Sequence, residues 1–307
     1  METTFIDWLR GRVGADPRLE VPLGDDAAVL RPPAGRRIVV TVDMLTEGVD
    51  FLLGPGASAR AVGHKALAVN LSDLAAMGAR PEAAFVAVAL PRDHAATVAR
   101  ELFEGIAPLA ARFGVALAGG DTNTWDGPLV VSVTALGSVA PGAAWRRDGA
   151  RPGDLLVVTG PCGGSLLGRH LLVAPRCDEA LAIAGRFAVH AAIDVSDGLS
   201  LDLDRLLRAS GVGATLDLAA VPIHDDARRA GSQDGRSPLD HALGDGEDFE
   251  LVLAMPAADA RALVAAPPAA LRPVIIGSVT AGSGIEAIAP DGTRRPLEPR
   301  GWVHGGG

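Results

Sequence analysis

Arg36-Arg37-Ile38-Val39-Val40-Thr41-Val42-Asp43 is the stretch from which the rest of the chain is read. Its β-branched run predicts a strand, and it ends on an acid. Working outward, residues 58–77 predict a helix, with Ser58 as N-cap and an apolar stripe of Ala59, Val62, Ala66, Val69 and Leu74. Ala83 to Leu90 predicts a short buried strand. Asp93 is placed to cap a second helix running to about Phe113, with Gly114 as its C′ residue and Pro108 expected to kink or divide it. Val115-Ala116-Leu117-Ala118 reads as a strand followed at once by Gly119-Gly120-Asp121, and Leu129 to Val139 as another. Pro141, Gly142, Gly149, Pro152 and Gly153 then crowd together and mark a boundary between a domain of residues 1–140 and one of residues 141–307.

The second half repeats the alternation. Leu155 to Thr159 predicts a strand, followed by Gly160-Pro161-Cys162-Gly163-Gly164-Ser165, a turn whose amides could face an anion. Ala191-Ala192-Ile193-Asp194 is a short strand ending on an acid, and Gly198 to about Ala209 a helix stopped near Gly211. Residues 225–240 read as polar and irregular. Phe249 to Met255 and Pro273 to Val279 are strands. The fold class expected is α/β, of the α+β type, in two domains.

Composition limits what such a fold could do. The 307 residues carry 48% apolar and 21% charged side chains, a globular balance. With a formal net charge of −9, a nucleic-acid surface is not expected. No run approaches the roughly 18 apolar residues of a membrane span, and no secretory signal is legible, so a cytoplasmic location is expected. Cys162 and Cys177 form neither a disulfide framework nor a zinc site. There is no Gly-Lys-Ser/Thr phosphate loop, no protein-kinase signature and no Gly-x-Ser-x-Gly elbow.

The acids are placed, not scattered. Gly24-Asp25-Asp26, Asp43, Asn70-Leu71-Ser72-Asp73, Gly119-Gly120-Asp121 and Asp194-Val195-Ser196-Asp197-Gly198 sit near strand ends or on one helix face. Any one could be a turn or cap. Together they repel one another unless a cation neutralises them, and magnesium takes oxygen ligands from one or two carboxylates plus substrate phosphates. Gly119-Gly120 permits close approach of backbone to phosphate. Positive charge is sparse: Arg146-Arg147 at the boundary, and Lys65, the chain's single lysine, which could be a surface residue or could reach the acids. His64 reads as structural.

These motifs, joined by Thr41-Val42-Asp43-Met44-Leu45-Thr46-Glu47-Gly48-Val49-Asp50-Phe51 and Gly246-Glu247-Asp248-Phe249-Glu250-Leu251, resemble in order and over nearly the whole chain the thiamine-monophosphate kinase family. The resemblance implies the two-domain aminoimidazole ribonucleotide synthetase-like fold, with the N-terminal sheet forming a homodimer interface. It implies ATP as co-substrate, several Mg²⁺ ions, and direct transfer to thiamine monophosphate. Carried over, the metal ligands are Asp26, Thr41, Asp43, Asp73, Asp121, Asp194 and Asp197. Gly120, Asp121, Arg147 and Ser196 contact the nucleotide, and Phe103 stacks on adenine where the family often has tyrosine. Asp50, Glu247 and Trp302 contact thiamine monophosphate. No residue is expected to serve as general base. The chain departs from the family in having no tyrosine, and in its tail, Gly301-Trp302-Val303-His304-Gly305, where an acid often follows the aromatic residue. Two alternatives stay open: another ATP-dependent enzyme of the same superfamily, and a non-catalytic protein that holds thiamine phosphates or nucleotide.

Overall fold

The structure is a computed structural model that describes residues 2–268 and 271–303; His304 and Gly305 of the tail lie outside the described residues. The chain divides into two compact units. The first comprises the described residues up to Leu74 with Ala79–Ala143 and Leu171–Cys177, and the second comprises Ala75–Gly78, Ala144–His170 and the described residues from Asp178 onward. Among the described residues no helix is long and apolar enough to cross a membrane.

The first unit contains, in chain order, α1 (Glu2–Arg10), β1 (Leu19–Val21), β2 (Val29–Leu30), β3 (Arg37–Thr46), α2 (Ala59–Ala76), β4 (Arg80–Pro91), α3 (Ala95–Phe113), β5 (Ala116–Trp125) and β6 (Val130–Val139). Its main sheet has the order β3-β6-β4-β5, and β1 and β2 form a separate ribbon. β3 pairs antiparallel with β6 without a break from Arg37 opposite Val139 to Thr46 opposite Val130. Ile38, Val40, Val42 and Met44 on one face of β3 are exposed, while the alternate positions from Val39 onward are at least half-buried, the period of two that a pleated strand imposes. Ser58 caps α2 as expected, its Oγ accepting the Ala61 N–H at 3.2 Å. α2 is buried on nearly every side, which the single apolar stripe did not suggest, and Lys65, Asn70 and Ser72 are buried with it.

The structure departs from the sequence expectations at several element ends. β3 continues three residues beyond Asp43, and β5 runs straight through Gly119-Gly120-Asp121, so both acids lie within strands instead of after them. The cause is pairing: β6 continues opposite Asp43–Thr46, and β4 runs parallel to β5 from Ala83/Ala116 to Pro91/Trp125. Ladder hydrogen bonds outweigh the low strand propensity of Gly and Asp. α3 is continuous through Pro108, and Asp93 does not cap it; a short 3-10 turn, Arg92–His94, precedes it and His94 is its N-cap. Gly114 ends α3 in the left-handed conformation as expected, its N–H bonded to Ala110 and Ala111 carbonyls.

The second unit is built on β7 (Leu155–Val158), α4 (Cys177–Ala184), β8 (Ala191–Asp194), α5 (Leu199–Ser210), β9 (Gly213–Asp217), α6 (Asp225–Asp234), α7 (Pro238–Gly244), β10 (Leu251–Met255), α8 (Ala257–Ala265), β11 (Val274–Thr280), β12 (Gly284–Ile288) and β13 (Arg294–Pro296). The sheet order is β13-β12-β9-β11-β7-β10-β8, antiparallel at every step except β9 beside β12. α5 contributes Leu199, Leu203, Leu206 and Leu207 to the core against β7, β8 and β10. The segment expected to be irregular, 225–240, holds two helices. Each begins on a side-chain cap: His224 accepts from the Asp226 N–H, and Ser237 from the Asp240 N–H with Pro238 next to it.

Candidate active site

In the first unit, β3 presents Thr41 and Asp43 two residues apart on one face, and α2 supplies Asp73. The Thr41 hydroxyl donates to an Asp73 carboxylate oxygen. Burial, then the charges of Asp73 and Asp50, push the Asp43 carboxyl up to about 7. Asp50 lies just beyond the strand, where its Oδ2 accepts the Thr46 N–H at 2.7 Å. Its carbonyl accepts a hydrogen bond from Lys65 Nζ at 2.8 Å. The one lysine therefore reaches this group and is no surface residue: it is 0% exposed. Three carboxylates assigned to two roles, metal and thiamine, are thus brought together.

The donor set suits magnesium. Thr41, Asp43 and Asp73 offer hard oxygen atoms, and mutual repulsion at Asp43 is what a cation would relieve. Asn70, one helical turn before Asp73, gives its Nδ2 to the Ala66 carbonyl at 2.9 Å; its Oδ1 is a buried oxygen with no hydrogen-bond partner. Among the described residues no three His, Cys, Asp or Glu side chains close a metal cage by themselves. An ion held by one or two carboxylates and completed by substrate phosphates needs none.

Phe103, Gly120 and Asp121 line one cleft, walled by Phe5, Leu9, Val86 and Leu102. Apolar walls with one acid at the edge are the lining of a small-molecule site. Phe103 meets the edge of Trp8 at 5.3 Å between centroids, and Trp8 stacks on Phe5 at 5.8 Å. Asp26 is exposed on the loop between β1 and β2, whose Leu23 lines the same cleft; Arg10 braces that loop through the Gly24 carbonyl at 2.6 Å.

In the second unit the 194–198 turn gathers most of the remaining candidates. Asp194 ends β8 and is buried. The Ser196 carbonyl accepts the Glu247 N–H at 2.7 Å, and the Asp197 carbonyl accepts the Trp302 N–H at 2.9 Å. Trp302 is 56% exposed, so it is not a packing aromatic. Asp197 does not cap α5. The N-cap of that helix is Gly198, with no side-chain cap, and Asp202 in the first turn accepts the Asp197 and Gly198 N–H groups on its Oδ2 at 2.9 and 3.0 Å. The Asp197 carboxylate pairs instead with Arg205. Arg147 is exposed, its carbonyl held by Ser210 Oγ at 2.7 Å.

One expectation is overturned here. Within Gly160–Ser165, the Gly163 and Gly164 amides do not await an anionic ligand, because the protein's own carboxylates take them, and the Cys162 N–H goes to the Pro222 carbonyl. The Gly163 N–H donates to both oxygens of Asp248 at 2.9 Å, and the Gly164 N–H to Asp245 at 2.9 Å. Burial raises the Asp248 carboxyl to about 7 although Arg169 and the Gly163 N–H favour its charged form. The clasp of Asp248 by Gly163 and Arg169 gave no local signal in the sequence, since these partners stand 85 and 79 positions from it. Lys65 did give one: it is the only lysine in the chain.

Residues 24–139 match the AIR synthase related protein, N-terminal domain, and residues 151–289 its C-terminal domain. A thiamine-monophosphate kinase of Rhodopirellula baltica is 44% identical over 99% of this chain and 98% of its own length. The chain belongs to the thiamine-monophosphate kinase family. It is also similar to the crystal structure of thiamine-monophosphate kinase from Stenotrophomonas maltophilia K279a, with 36% identity, a TM-score of 0.82 and coverage of 95% of this chain and 96% of that one. AaThiL complexed with AMPPCP and TMP is 27% identical, with a TM-score of 0.77 over 99% of this chain and 95% of that one.

Proposed function

We propose that this kinase moves the γ-phosphoryl group of ATP onto the phosphate of thiamine monophosphate, giving thiamine diphosphate and ADP by direct in-line transfer. The observation that carries the reading is the meeting of Asp43 with Asp73 and Asp50, a cluster in which burial first, and then the two neighbouring charges, hold the Asp43 carboxyl up at about 7. Such a cluster is costly to keep in a fold unless a cation and phosphates complete it.

The acceptor oxygen is already anionic near neutral pH, because the second pKa of a phosphomonoester is about 6. No general base has to make the nucleophile, and the work left to the protein is orientation and charge. When bound, Mg²⁺ supplies the positive charge that offsets both phosphates. Thr41, Asp43 and Asp73, with Asp26, Asp121, Asp194 and Asp197, are assigned to hold it. Phe103, Gly120, Asp121, Arg147 and Ser196 are assigned to the nucleotide. Asp50, Glu247 and Trp302 are assigned to thiamine, whose thiazolium and amino group suit acidic partners and whose rings suit an exposed indole. A homodimer through β3 is part of the proposal: Val40 and Val42 are 61% and 62% exposed on one continuous apolar face.

The deciding assay supplies ATP, Mg²⁺ and thiamine monophosphate and follows thiamine diphosphate. Inversion at a chiral γ-phosphorus is expected; retention would instead require a phospho-enzyme. Phe103→Ala is expected to raise KM for ATP about tenfold, the usual worth of one aromatic stack, with KM for thiamine monophosphate unchanged. Equal effects on both would remove Phe103 from the nucleotide site.

A further inference from the structure

Gly246-Glu247-Asp248-Phe249 joins α7 to β10 along a strained path. Glu247 and Phe249 both have φ of +52°, and among the described residues no other non-glycine residue has positive φ. Neither glutamate nor phenylalanine gains anything from that conformation, which glycine adopts freely. Backbone strain of this kind persists only where the surroundings over-determine it, and it gathers at functional sites.

The surroundings here are specific. The Glu247 N–H is fixed to the Ser196 carbonyl at 2.7 Å, and the Phe249 N–H to the Val195 carbonyl at 2.8 Å. The Gly246 carbonyl accepts from Ser165 Oγ at 2.6 Å. Between the two strained residues, the side chain of Asp248 is only 1% exposed. Both its oxygens accept the Gly163 N–H, and Oδ1 also accepts from Arg169 Nη2 at 2.8 Å. Arg169 is anchored in turn to the Gly163 carbonyl at 2.9 Å. The alternation matters: with Asp248 clasped inside, Glu247 remains half-buried beside the Ser196–Asp197 turn.

We infer that Asp248 is a positioning residue for the acceptor site: clasped by the Gly163 N–H and Arg169, it holds Glu247 in the left-handed conformation in which Glu247 recognises the thiamine portion of the substrate. The inference rests on the assignment of Glu247 to thiamine made above. A glutamate stands at a backbone position better suited to glycine because its carboxylate is needed there. Glu247→Gly therefore raises the melting temperature while weakening thiamine monophosphate. Were Asp248 purely structural, Asp248→Asn would instead lower stability and leave both KM values alone.

The test is a double-mutant cycle with Glu247→Gln and Asp248→Asn, reading KM for each substrate separately. Each single variant is expected to raise KM for thiamine monophosphate about tenfold, the loss of one charge-assisted contact, with KM for ATP unchanged. The double variant is expected to be no worse than the worse single one, because both remove the same interaction. An unchanged KM for thiamine monophosphate in Asp248→Asn, a parallel rise for ATP, or effects that multiply in the double variant would each overturn the inference. If Glu247→Gln itself leaves that KM unchanged, the thiamine assignment fails, and the inference falls with it for a distinguishable reason. Should Asp248→Asn fold too poorly to assay, Arg169→Gln leaves the Gly163 N–H bonded to Asp248 while removing the guanidinium from it, and carries the same test. The same selective rise supports the inference, and its absence overturns it.

Discussion

Asp43→Asn is expected to lower kcat for phosphoryl transfer by about 10³-fold or more at saturating Mg²⁺, and at the same time to stabilise the metal-free protein. Both halves follow from one cause. In the fold, burial and the charges of Asp73 and Asp50 raise the Asp43 carboxyl from 3.8 to about 7. A carboxyl raised on folding favours the native state only while protonated. That contribution is complete below the unfolded value and is lost as pH rises through the folded one. At pH 8 the wild-type carboxylate is therefore charged, partly desolvated and repelled. Asparagine keeps the shape without the charge. The gain is on the order of 2 kcal/mol once the partial exposure of the site is allowed for, or roughly 5 °C in the transition of the unit that carries it.

Differential scanning calorimetry in EDTA at pH 8 and pH 5.5 checks this. The advantage of Asp43→Asn over wild type is expected to be larger at pH 8. Added Mg²⁺ with nucleotide should raise the wild-type transition and leave the variant's nearly in place. Near wild-type kcat would remove Asp43 from the metal set. A lower transition temperature than wild type at pH 8 would show that burial and repulsion do not penalise the charged carboxylate there.

Gly120→Ala is expected to destabilise the protein by about 3 kcal/mol, the usual cost of forcing atoms into a packed strand pair, and to raise KM for ATP in whatever folds. Gly120 lies opposite Val86 in the parallel pairing of β5 with β4. A Cβ added there would sit 1.8 Å from the Val86 carbonyl oxygen and 2.7 Å from its carbon. Backbone cannot yield as a side chain does, so β5 must move off β4, and Asp121 with it. Gly54→Ala is the control, since an added Cβ there meets nothing within 4 Å. Thermal melts of the two variants should differ by several degrees. Equal melting temperatures would mean that β5 has slack at Gly120, and that the glycine serves phosphate approach alone.

Much of this was legible along the chain, for identifiable reasons. Ser58 and Gly114 announce the ends of their helices because caps are local chemistry, settled within three or four residues. The acidic motifs were found for the same reason, each being a short contiguous string. The strand ends near Asp43 and Asp121 were misplaced because β6 and β4 decide them. Pairing with a distant strand carries Asp43 and Gly119-Gly120-Asp121 into ladders that their own propensities oppose. Residues 225–240 looked irregular because their helices have little apolar face and depend on caps at His224 and Ser237.

The sequence by itself determined the family, the alternation of elements in two domains and which carboxylates to watch. These are properties of local strings and their order. Only the tertiary structure decided what those groups face. It set Asp43 against Asp73 and Asp50, sank Lys65 beneath the loop of Asp50, and tied Trp302 to Asp197. It also spent the amides of Gly163 and Gly164 on Asp248 and Asp245. Each of these depends on residues far apart in the chain, whose interaction is set by distance and burial, and neither quantity exists until the chain has folded.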